Sequence, residues 1–321
     1  MSRLKVTWFR QWHAELDAAL ACLPEPEACP HDLTRTLMQT PGPAEKRTAL
    51  VTEDGRPLAV IGLRRRTRLT WEPAAQWLIP GVPFPVRPGA TIAALRALNI
   101  AIPVAWWRMT EPVPEAPCIR RFETQPVYRL ALAGDREAFW RQTHYLRHIK
   151  NIRNRCAAFT WALDPPGAAR WVITHWSQRW RDGADADPAV EDRILIAEAL
   201  EARGLHHTVC LYDGEKLIAG STNFVHRGDL VAGVIHGDPD YRNHGIGVRL
   251  IDQTFAFAAG EGLAGFDLGA GHDYKKKWAP EDGSRGTFVL APEPIWRMQR
   301  AISTLRRLMP GRKPYPEPVE G

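Results

Sequence analysis

The sequence predicts an α/β (α+β) protein whose sheets are mixed, mostly antiparallel and flanked by helices. Two observations predict this class. In the second half of the chain, helical segments precede three short strand segments separated by turns, and a glycine-rich loop then leads into another helix and strand. The first half repeats the three-strand pattern more faintly, so the 321 residues are expected to form two domains.

The composition is that of a globular protein. Hydrophobic residues make up 45% of the chain and charged residues 24%, which argues against disorder. No apolar run approaches the roughly 20 residues that a membrane-spanning helix needs. The segment from Met1 to Trp8 lacks the apolar core of a signal peptide, so cytoplasmic residence is expected.

The cysteines indicate a reducing environment. Their number is odd, their spacing is wide, and no C-x-x-C pair occurs, which argues against a disulfide framework or a zinc site. We expect reduced and mostly buried thiols at five positions: Cys22, Cys29, Cys118, Cys156 and Cys210.

The net charge of +6 is concentrated near the C-terminus. Ile295 to Lys313 contains six basic residues and no acidic one, which matches the whole excess and leaves the rest of the chain close to neutral. Residues 295–309 carry one apolar stripe and are predicted to form a basic amphipathic helix. This helix is expected to dock on its own protein, or else on a membrane surface or a partner helix. The Pro-rich residues 314–321 are expected to be disordered.

The N-terminal half is predicted to contain a second three-stranded meander, a helix and a further strand. The predicted segments are Arg47 to Thr52, a turn at Asp54-Gly55, Pro57 to Leu69, Thr70 to Ile79, the helix Thr91 to Asn99 and the strand Ile102 to Met109. The loop from Gly81 to Gly89 has prolines, which lack N–H donors. We therefore do not expect this half to hold a cofactor, and we expect it to shape the site of a second ligand.

The C-terminal half is easier to interpret. Asp135 to Ala158 is predicted to be one helix, with acids at its start and bases at its end as the helix dipole favours. The later predicted helices are Ala168 to Trp180, Pro188 to Arg203, Val248 to Ala259 and the short Asp273 to Trp278. The predicted strands are His207 to Tyr212, Leu217 to Val225, Leu230 to His236, Gly265 to Leu268 and Thr287 to Leu290.

The loop between the third strand and the next helix reads R-x-x-G-x-G. Glycines at 245 and 247 would let the backbone approach a phosphate or diphosphate, and Arg242 would add charge. The predicted contact residues are Arg242, Asn243, His244, Gly245, Ile246, Gly247 and Val248. A tight strand-to-helix turn would also need glycines. No Lys-Ser/Thr follows and the loop ends a meander, which disfavours P-loop and Rossmann sites.

Three segments together resemble a known family. They are the basic helix His144 to Arg155, the loop Arg242 to Gly247, and Phe266 to Trp278, which is similar to the pattern F-D-x-G-x-G-x-x-x-Y-K-x-x-[FW]. The chain thus resembles the GNAT acyltransferase superfamily, within it the BioF2-like and CelD-like acetyltransferases, which are related to FemABX aminoacyl transferases. The resemblance implies tandem GNAT-like domains: a degenerate one over 1–130, a catalytic one over 131–292, and the tail 293–321.

The resemblance implies acetyl-CoA or another acyl-CoA as donor, with direct attack by an amine in a ternary complex and no metal. Polarisation of the thioester carbonyl would fall near Ile235, His236 and Gly237. His236 or Asp238 would accept the proton of the amine. Tyr274 would protonate the departing thiolate, Lys275 would stabilise the oxyanion or contact an acidic acceptor, and Asp267 would orient a neighbour. Solvent-facing polar residues and a solvated Lys275 to Lys277 run are the plain alternatives.

The acceptor is expected to be a small-molecule or saccharide-linked amine. Its identity is not predicted, because the fold indicates the donor more securely than the acceptor. A second interpretation is FemABX-like aminoacyl transfer from aminoacyl-tRNA to a cell-envelope precursor, the one case in which a nucleic acid partner is expected. A third is a non-catalytic GNAT-like binding protein, in contact with the inner face of a membrane through residues 295–309. The oligomeric state is not predicted.

Overall fold

The computed structural model describes most of the chain. The described residues are 3–26, 29–42, 44–65, 70–74, 84–101, 104–109, 119–132, 136–179, 190–270, 273–292, 294–295 and 297. They fall into two compact units, Met1–Gln125 with Ser284–Gly321 and Pro126–Gly283. Among these residues, no helix combines the length and hydrophobicity needed to span a bilayer.

The elements follow one another in an order that nearly repeats. The first half contains β1 (Leu4–Phe9), α1 (Ala14–Leu20), α2 (His31–Gln39), β2 (Lys46–Glu53), β3 (Arg56–Arg65), β4 (Thr70–Pro73), α3 (Thr91–Ala101), β5 (Val104–Met109) and β6 (Ile119–Ala131). Next come α4 (Arg136–Gln142), α5 (Leu146–Arg155), β7 (Thr160–Leu163), α6 (Ala168–Arg179), α7 (Val190–Glu201), β8 (His206–Asp213) and β9 (Lys216–His226). The last are β10 (Asp229–Gly237), the 3₁₀ helix η1 (Pro239–His244), α8 (Ile246–Gly260), β11 (Gly265–Ala270), the 3₁₀ helix η2 (Asp273–Lys277) and β12 (Glu281–Leu290).

The first unit has a mixed, mostly antiparallel sheet in the order β1-β2-β3-β4-β5-β12. Its neighbours are antiparallel except for β4 and β5, which are parallel and are joined through α3. Helix α3 buries Ala94, Leu95 and Leu98 in a core that also contains Ile61 and Leu63 of β3. Helix α1 packs on the opposite face, where Leu16 and Leu20 contact a cluster with Leu50 and Val60. The sheet of the first unit is therefore covered by helices on both faces.

The second unit repeats this plan with strands in the order β7-β8-β9-β10-β11-β6. Here β10 and β11 form the parallel pair and α8 joins them, while the other neighbours are antiparallel. The boundaries of the units fall within β6, between Gln125 and Pro126, and within β12, between Gly283 and Ser284. The predicted fold class, tandem domains with mixed and mostly antiparallel sheets flanked by helices, is confirmed.

Most predicted segments are found with their ends shifted by a few residues. The predicted helix Asp135 to Ala158 is an exception, because it divides into α4 and α5 around His144, which has a positive φ of 57°. Six of the described elements were not predicted: β1, α1, α2, β6, β7 and the 3₁₀ helix η1. The ends of several predicted segments, the loop residues 81–83, Cys118 and nearly all of the tail 293–321 lie outside the described residues.

The parallel strands β10 and β11 separate part of the way along their length. Their described pairing runs from Asp229 opposite Gly265 to Val231 opposite Asp267. Beyond that point β10 has a bulge against β9 between Ala232 and Ile235. A bulge bends a strand and increases its twist, which accounts for the divergence. The second half of β10 therefore presents one backbone edge that β11 does not cover.

Helix α5 packs on α8 through a buried carboxylate. Asp252 of α8, only 2% exposed, accepts hydrogen bonds of 2.8 and 2.6 Å from Nε and Nη2 of Arg153 and one of 2.9 Å from Nη1 of Arg249. Arg153 also bonds Glu137 of α4, and these partners raise its pKa above the ordinary arginine value. The basic character of α5 is thus partly used inside the fold to align α4, α5 and α8.

Replacing Asp252 with Asn should destabilise the protein by about 2 kcal/mol, because the change leaves two guanidinium groups without their buried counter-charge. Urea unfolding followed by tryptophan fluorescence would measure the loss. The matched control is Glu191→Gln, which removes an exposed ion pair to Arg170 at 3.3 Å and should cost less than about 1 kcal/mol. Equal losses in the two variants would contradict the structural role assigned to Asp252.

Candidate active site

A cleft of about 970 Å³ opens in the second unit where β10 ends. Its described lining comes from α6, the start of β9, the end of β10, η1 and the start of α8. The lining residues are Trp171, His175, Gln178, Lys216, Leu217, Ile235, His236, Gly237, Asp238, Pro239, Arg242, Ile246 and Gly247. Seven of the residues predicted from sequence therefore come together around one cavity: Ile235, His236, Gly237, Asp238, Arg242, Ile246 and Gly247.

The two glycines of the loop occupy different surroundings and are required for different reasons. Gly245 has a φ of 76°, and a Cβ added there would come within 3.0 Å of Cδ1 of Ile152 on α5. A Cβ added at Gly247 would meet nothing within 4 Å. Gly245 is therefore needed for the turn and for close packing of α5, whereas Gly247 leaves open space at the wall of the cleft.

Helix α5 also holds the loop through its carbonyl groups. Arg155 donates from Nη1 to the carbonyl of Asn243 at 3.0 Å, and the thiol of Cys156 donates to that of His244 at 3.3 Å. These two loop residues and Val248 are not among the described lining of the cleft. Asn243, His244 and Gly245 thus shape the loop, while Arg242, Ile246 and Gly247 face the cavity.

The first turn of α8 supplies backbone donors to the cleft. The first helical hydrogen bond runs from the N–H of Arg249 to the carbonyl of Gly245 at 3.1 Å. The N–H groups of Ile246, Gly247 and Val248 precede it and have no partner within the helix. The N–H of Gly245 is already used, since it donates to the carbonyl of Arg242. The helix N-terminus beside the cationic Arg242 therefore suits an anionic group such as a diphosphate.

His236 forms the inner end of the cleft. It is 8% exposed, and its ring lies 5.1 Å from that of Trp171 and 5.3 Å from that of His175, measured between centroids. Both partners are on α6, which packs against β10. The strand-end position predicted for His236 therefore places its ring inside the fold and in contact with α6.

Asp238 is used structurally at the same strand end. Its carboxylate caps η1 by accepting from the N–H of Asp240 at 3.0 Å and forms a 2.8 Å ion pair with Lys216. Lys216 and the N–H of Asp240 lower the pKa of Asp238 below the ordinary aspartate value. A lower pKa makes a carboxylate a weaker base, which disfavours proton acceptance by Asp238 at this position.

The segment around Tyr274 and Lys275 is fixed by an aromatic anchor. Trp278 is buried against Trp140 and Phe255, and its carbonyl accepts from Nε1 of Trp140 at 3.2 Å. Lys275 is 8% exposed and donates to the carbonyl of Ala270 at 2.8 Å, which ties η2 to the end of β11. Neither Tyr274 nor Lys275 is among the described residues that line the cleft.

Tyr274 and Asp267 differ in exposure. The Tyr274 side chain is 49% exposed, and its partial burial raises the pKa of the phenol. It therefore stays protonated near neutral pH and can donate a proton but not accept one. Asp267 lies in β11, is 9% exposed, and accepts from the N–H of Gly269 at 2.6 Å. Asp267 therefore stabilises the turn at the end of β11.

Sequence reasoning missed the wall that α6 contributes. Trp171, His175 and Gln178 line the cleft and are spaced i, i+4 and i+7, so they share one helix face. The helical spacing of Trp171 and His175 is visible in the sequence, but nothing local indicates that this face meets the end of β10. Lys216 and Leu217 were missed for the same reason, because β9 reaches the cleft only through its pairing with β10.

The comparisons with known proteins agree with this arrangement. Residues 118–277 match the family model of the acetyltransferase (GNAT) domain. The crystal structure of FemX is 11% identical with a TM-score of 0.51, and the match covers 91% of this chain and 99% of that chain. L-PGS from Bacillus licheniformis is 12% identical with a TM-score of 0.52, covering 95% and 98% of the two chains. A search among curated proteins finds no match.

A further structural match is the C-terminal domain of a protein described as a lysylphosphatidylglycerol synthetase from Agrobacterium fabrum. It is 12% identical with a TM-score of 0.52, covering 91% of this chain and 96% of that one. At such identities the likeness concerns the fold. The match to the family model identifies an acyltransferase-type domain. The chain therefore contains a domain of the GNAT superfamily over residues 118–277, and it shares its fold with FemX and L-PGS.

Replacing Gly245 with Ala should destabilise the protein by about 2 to 4 kcal/mol, since it adds a strained positive φ to a clash with Ile152. The control Gly262→Ala has a similar φ of 70° and nothing within 4 Å of the new Cβ, so it should cost only about 1 kcal/mol. Urea unfolding would compare the two variants.

A second substitution isolates the clash. Ile152→Val removes Cδ1, the atom nearest to the new Cβ. In the Gly245→Ala background it should therefore cost less than it does alone, where the loss is about 1 kcal/mol. Additive losses in the double variant would mean that the two residues are not in contact.

Proposed function

We propose that this chain is an N-acyltransferase that moves an acyl group from an acyl-CoA, such as acetyl-CoA, to an amine. The observation that carries the proposal is the free edge of β10 ending beside the N-terminus of α8. A pantetheine arm is an amide chain and can pair with such an edge, while a diphosphate fits the N–H groups at Ile246 and Gly247. Arg242 adds positive charge at the same point.

The proposed chemistry is direct aminolysis of the thioester. The amine nitrogen attacks the carbonyl carbon, a C–N bond forms, and the C–S bond breaks to release CoA. Backbone N–H groups near Ile235 to Gly237 would polarise the carbonyl oxygen. Tyr274, the proton donor expected from the sequence, would return a proton to the thiolate, although it is not among the described residues that line the cleft. In this scheme Asp238 has a structural role through its ion pair with Lys216.

Three of the cysteines are poor candidates for a covalent acyl intermediate. Burial raises the pKa of Cys29 to about 11 and that of Cys210 to about 12. Burial also raises the pKa of Cys156. A thiol with a raised pKa holds its proton at neutral pH and is a poor nucleophile. These cysteines are therefore disfavoured as acyl carriers, and a ternary complex of donor and amine is proposed.

Calorimetric titration with CoA and acetyl-CoA tests the donor. Gly247→Asp should fold normally, because a carboxylate in the first turn favours a helix. It should nevertheless weaken CoA binding by more than about tenfold, since like charges about 5 Å apart near a protein surface repel by about 3 kcal/mol. Gly247→Asn has nearly the same size without the charge and serves as the matched control.

The variants separate charge from bulk. A strong loss in Gly247→Asp with a small loss in Gly247→Asn would support a phosphate at α8. If the unmodified protein binds neither CoA nor acetyl-CoA, or if Gly247→Asp binds CoA as well as the unmodified protein, the proposed donor is wrong.

A second candidate function is transfer of an aminoacyl group from aminoacyl-tRNA. The exposed cations Arg147 and Lys150 on α5 favour it, and the fold is shared with L-PGS. If tRNA binds there, affinity should fall by about 10³-fold or more between about 50 and 200 mM salt. The double variant Arg147→Ala/Lys150→Ala should weaken binding and reduce the salt dependence.

The matched control for this test is Lys5→Ala/Arg56→Ala, which removes two exposed cations from the first unit. Filter binding of total tRNA would measure all three proteins. Salt-independent binding, or equal effects of the two double variants, would argue against a tRNA site on α5.

A further inference from the structure

We propose that His175 of α6 is a catalytic residue, the group that accepts the proton of the attacking amine. The inference rests on the proposed acyl-CoA reaction and adds a residue that sequence reasoning did not select. It starts from the position of α6, whose residues Trp171, His175 and Gln178 form the wall of the cleft facing the end of β10.

The hydrogen bond of His175 sets its tautomer. Its Nδ1 lies 2.8 Å from the carbonyl oxygen of Trp171, one turn earlier in α6. A carbonyl oxygen can only accept, so in the neutral ring Nδ1 carries the proton and donates it. The basic lone pair is then on Nε2, the nitrogen that an amine proton would reach.

The surroundings of the ring keep Nε2 accessible. No described residue forms a hydrogen bond with Nε2, and the half-buried ring lines the cleft. Trp171 packs on the ring at 4.6 Å and His236 at 5.3 Å between centroids, which fixes its orientation. His175 therefore presents a base to the cavity from a rigid helix.

His175 lies beside the segment that is proposed to hold the thioester. The thioester is expected beside the backbone of Ile235 to Gly237, and the ring of His236 in this segment is in contact with His175. An amine entering between α6 and β10 would have the thioester on one side and Nε2 on the other. As the C–N bond forms, one amine proton passes to Nε2. Tyr274 protonates the departing thiolate, and the proton held by His175 then passes through solvent to the resulting phenolate, which restores both residues.

By contrast, His236 is 8% exposed, whereas the His175 ring is more open to the cavity. We therefore assign His236 the task of supporting His175 and closing the inner end of the cleft. His175 contacts the amine, and His236 is a positioning residue that acts through it.

The test uses the full chain with bromoacetyl-CoA as probe, because the natural acceptor is not needed. Its CH₂Br carbon takes the place of the reacting acyl group. Nε2 of His175 attacks this carbon, a C–N bond forms, bromide leaves, and the Nδ1 proton is lost to solvent. Peptide mass mapping should find the label on His175, and excess CoA should suppress labelling. Long-range ¹H–¹⁵N NMR should show the Nδ1–H tautomer for this ring.

The variants and outcomes are distinct. His175→Gln should reduce labelling by more than about tenfold with CoA affinity changed less than about threefold. The control His148→Ala removes an exposed histidine that stacks on Tyr145 and should label fully. If CoA binds but the label falls on His236 or elsewhere, or if NMR shows Nε2–H, only this inference is overturned. If CoA does not bind, the proposed function itself fails.

Discussion

The divergence of β10 from β11 is the constraint on which the site depends. A parallel pair that stayed in register to its end would satisfy its own backbone groups and leave no edge for a ligand. Here the bulge between Ala232 and Ile235 turns the strand away after Val231. The second half of β10 therefore lacks a neighbouring strand on one side. Its backbone donors and acceptors on that side lie at the mouth of the cleft. The strand β10, its bulge and helix α8 therefore form the cleft together.

The glycine loop can lie beside that edge because α5 supports it from behind. Ile152 packs where a side chain of residue 245 would be, and Arg155 and Cys156 bind the loop carbonyls. The Arg153–Asp252 pair then fixes α5 to α8. The basic residues of α5, which in the sequence suggest an anionic partner, therefore have two different roles. Arg153 and Arg155 are bonded within the fold, and Arg147 and Lys150 are exposed cations that a partner could contact.

The sequence predicted the order of elements well where the signal is local. Asp213-Gly214 and Arg227-Gly228 give the turns of the meander, and positive φ values at Gly214 and Gly228 agree. The break at His144 was missed because its positive φ of 57° occurs at a residue other than glycine, so the sequence contains no turn signal at this position. The wall formed by α6 was missed because it depends on contact with β10, more than 50 residues away. Local periodicity reports a helix face but not what that face meets.

The motif R-x-x-G-x-G therefore combines two requirements with different physical origins. Gly245 is required by the left-handed turn and by the close approach of Ile152, so a substitution there should mainly lower the stability of the protein. A side chain at Gly247 would enter open space at the start of α8, so a substitution there should mainly weaken binding of the proposed ligand. A loop serving only as a strand-to-helix turn would need the first glycine and would gain helix stability from alanine at the second. The second glycine is thus the better indicator of an anion at this site.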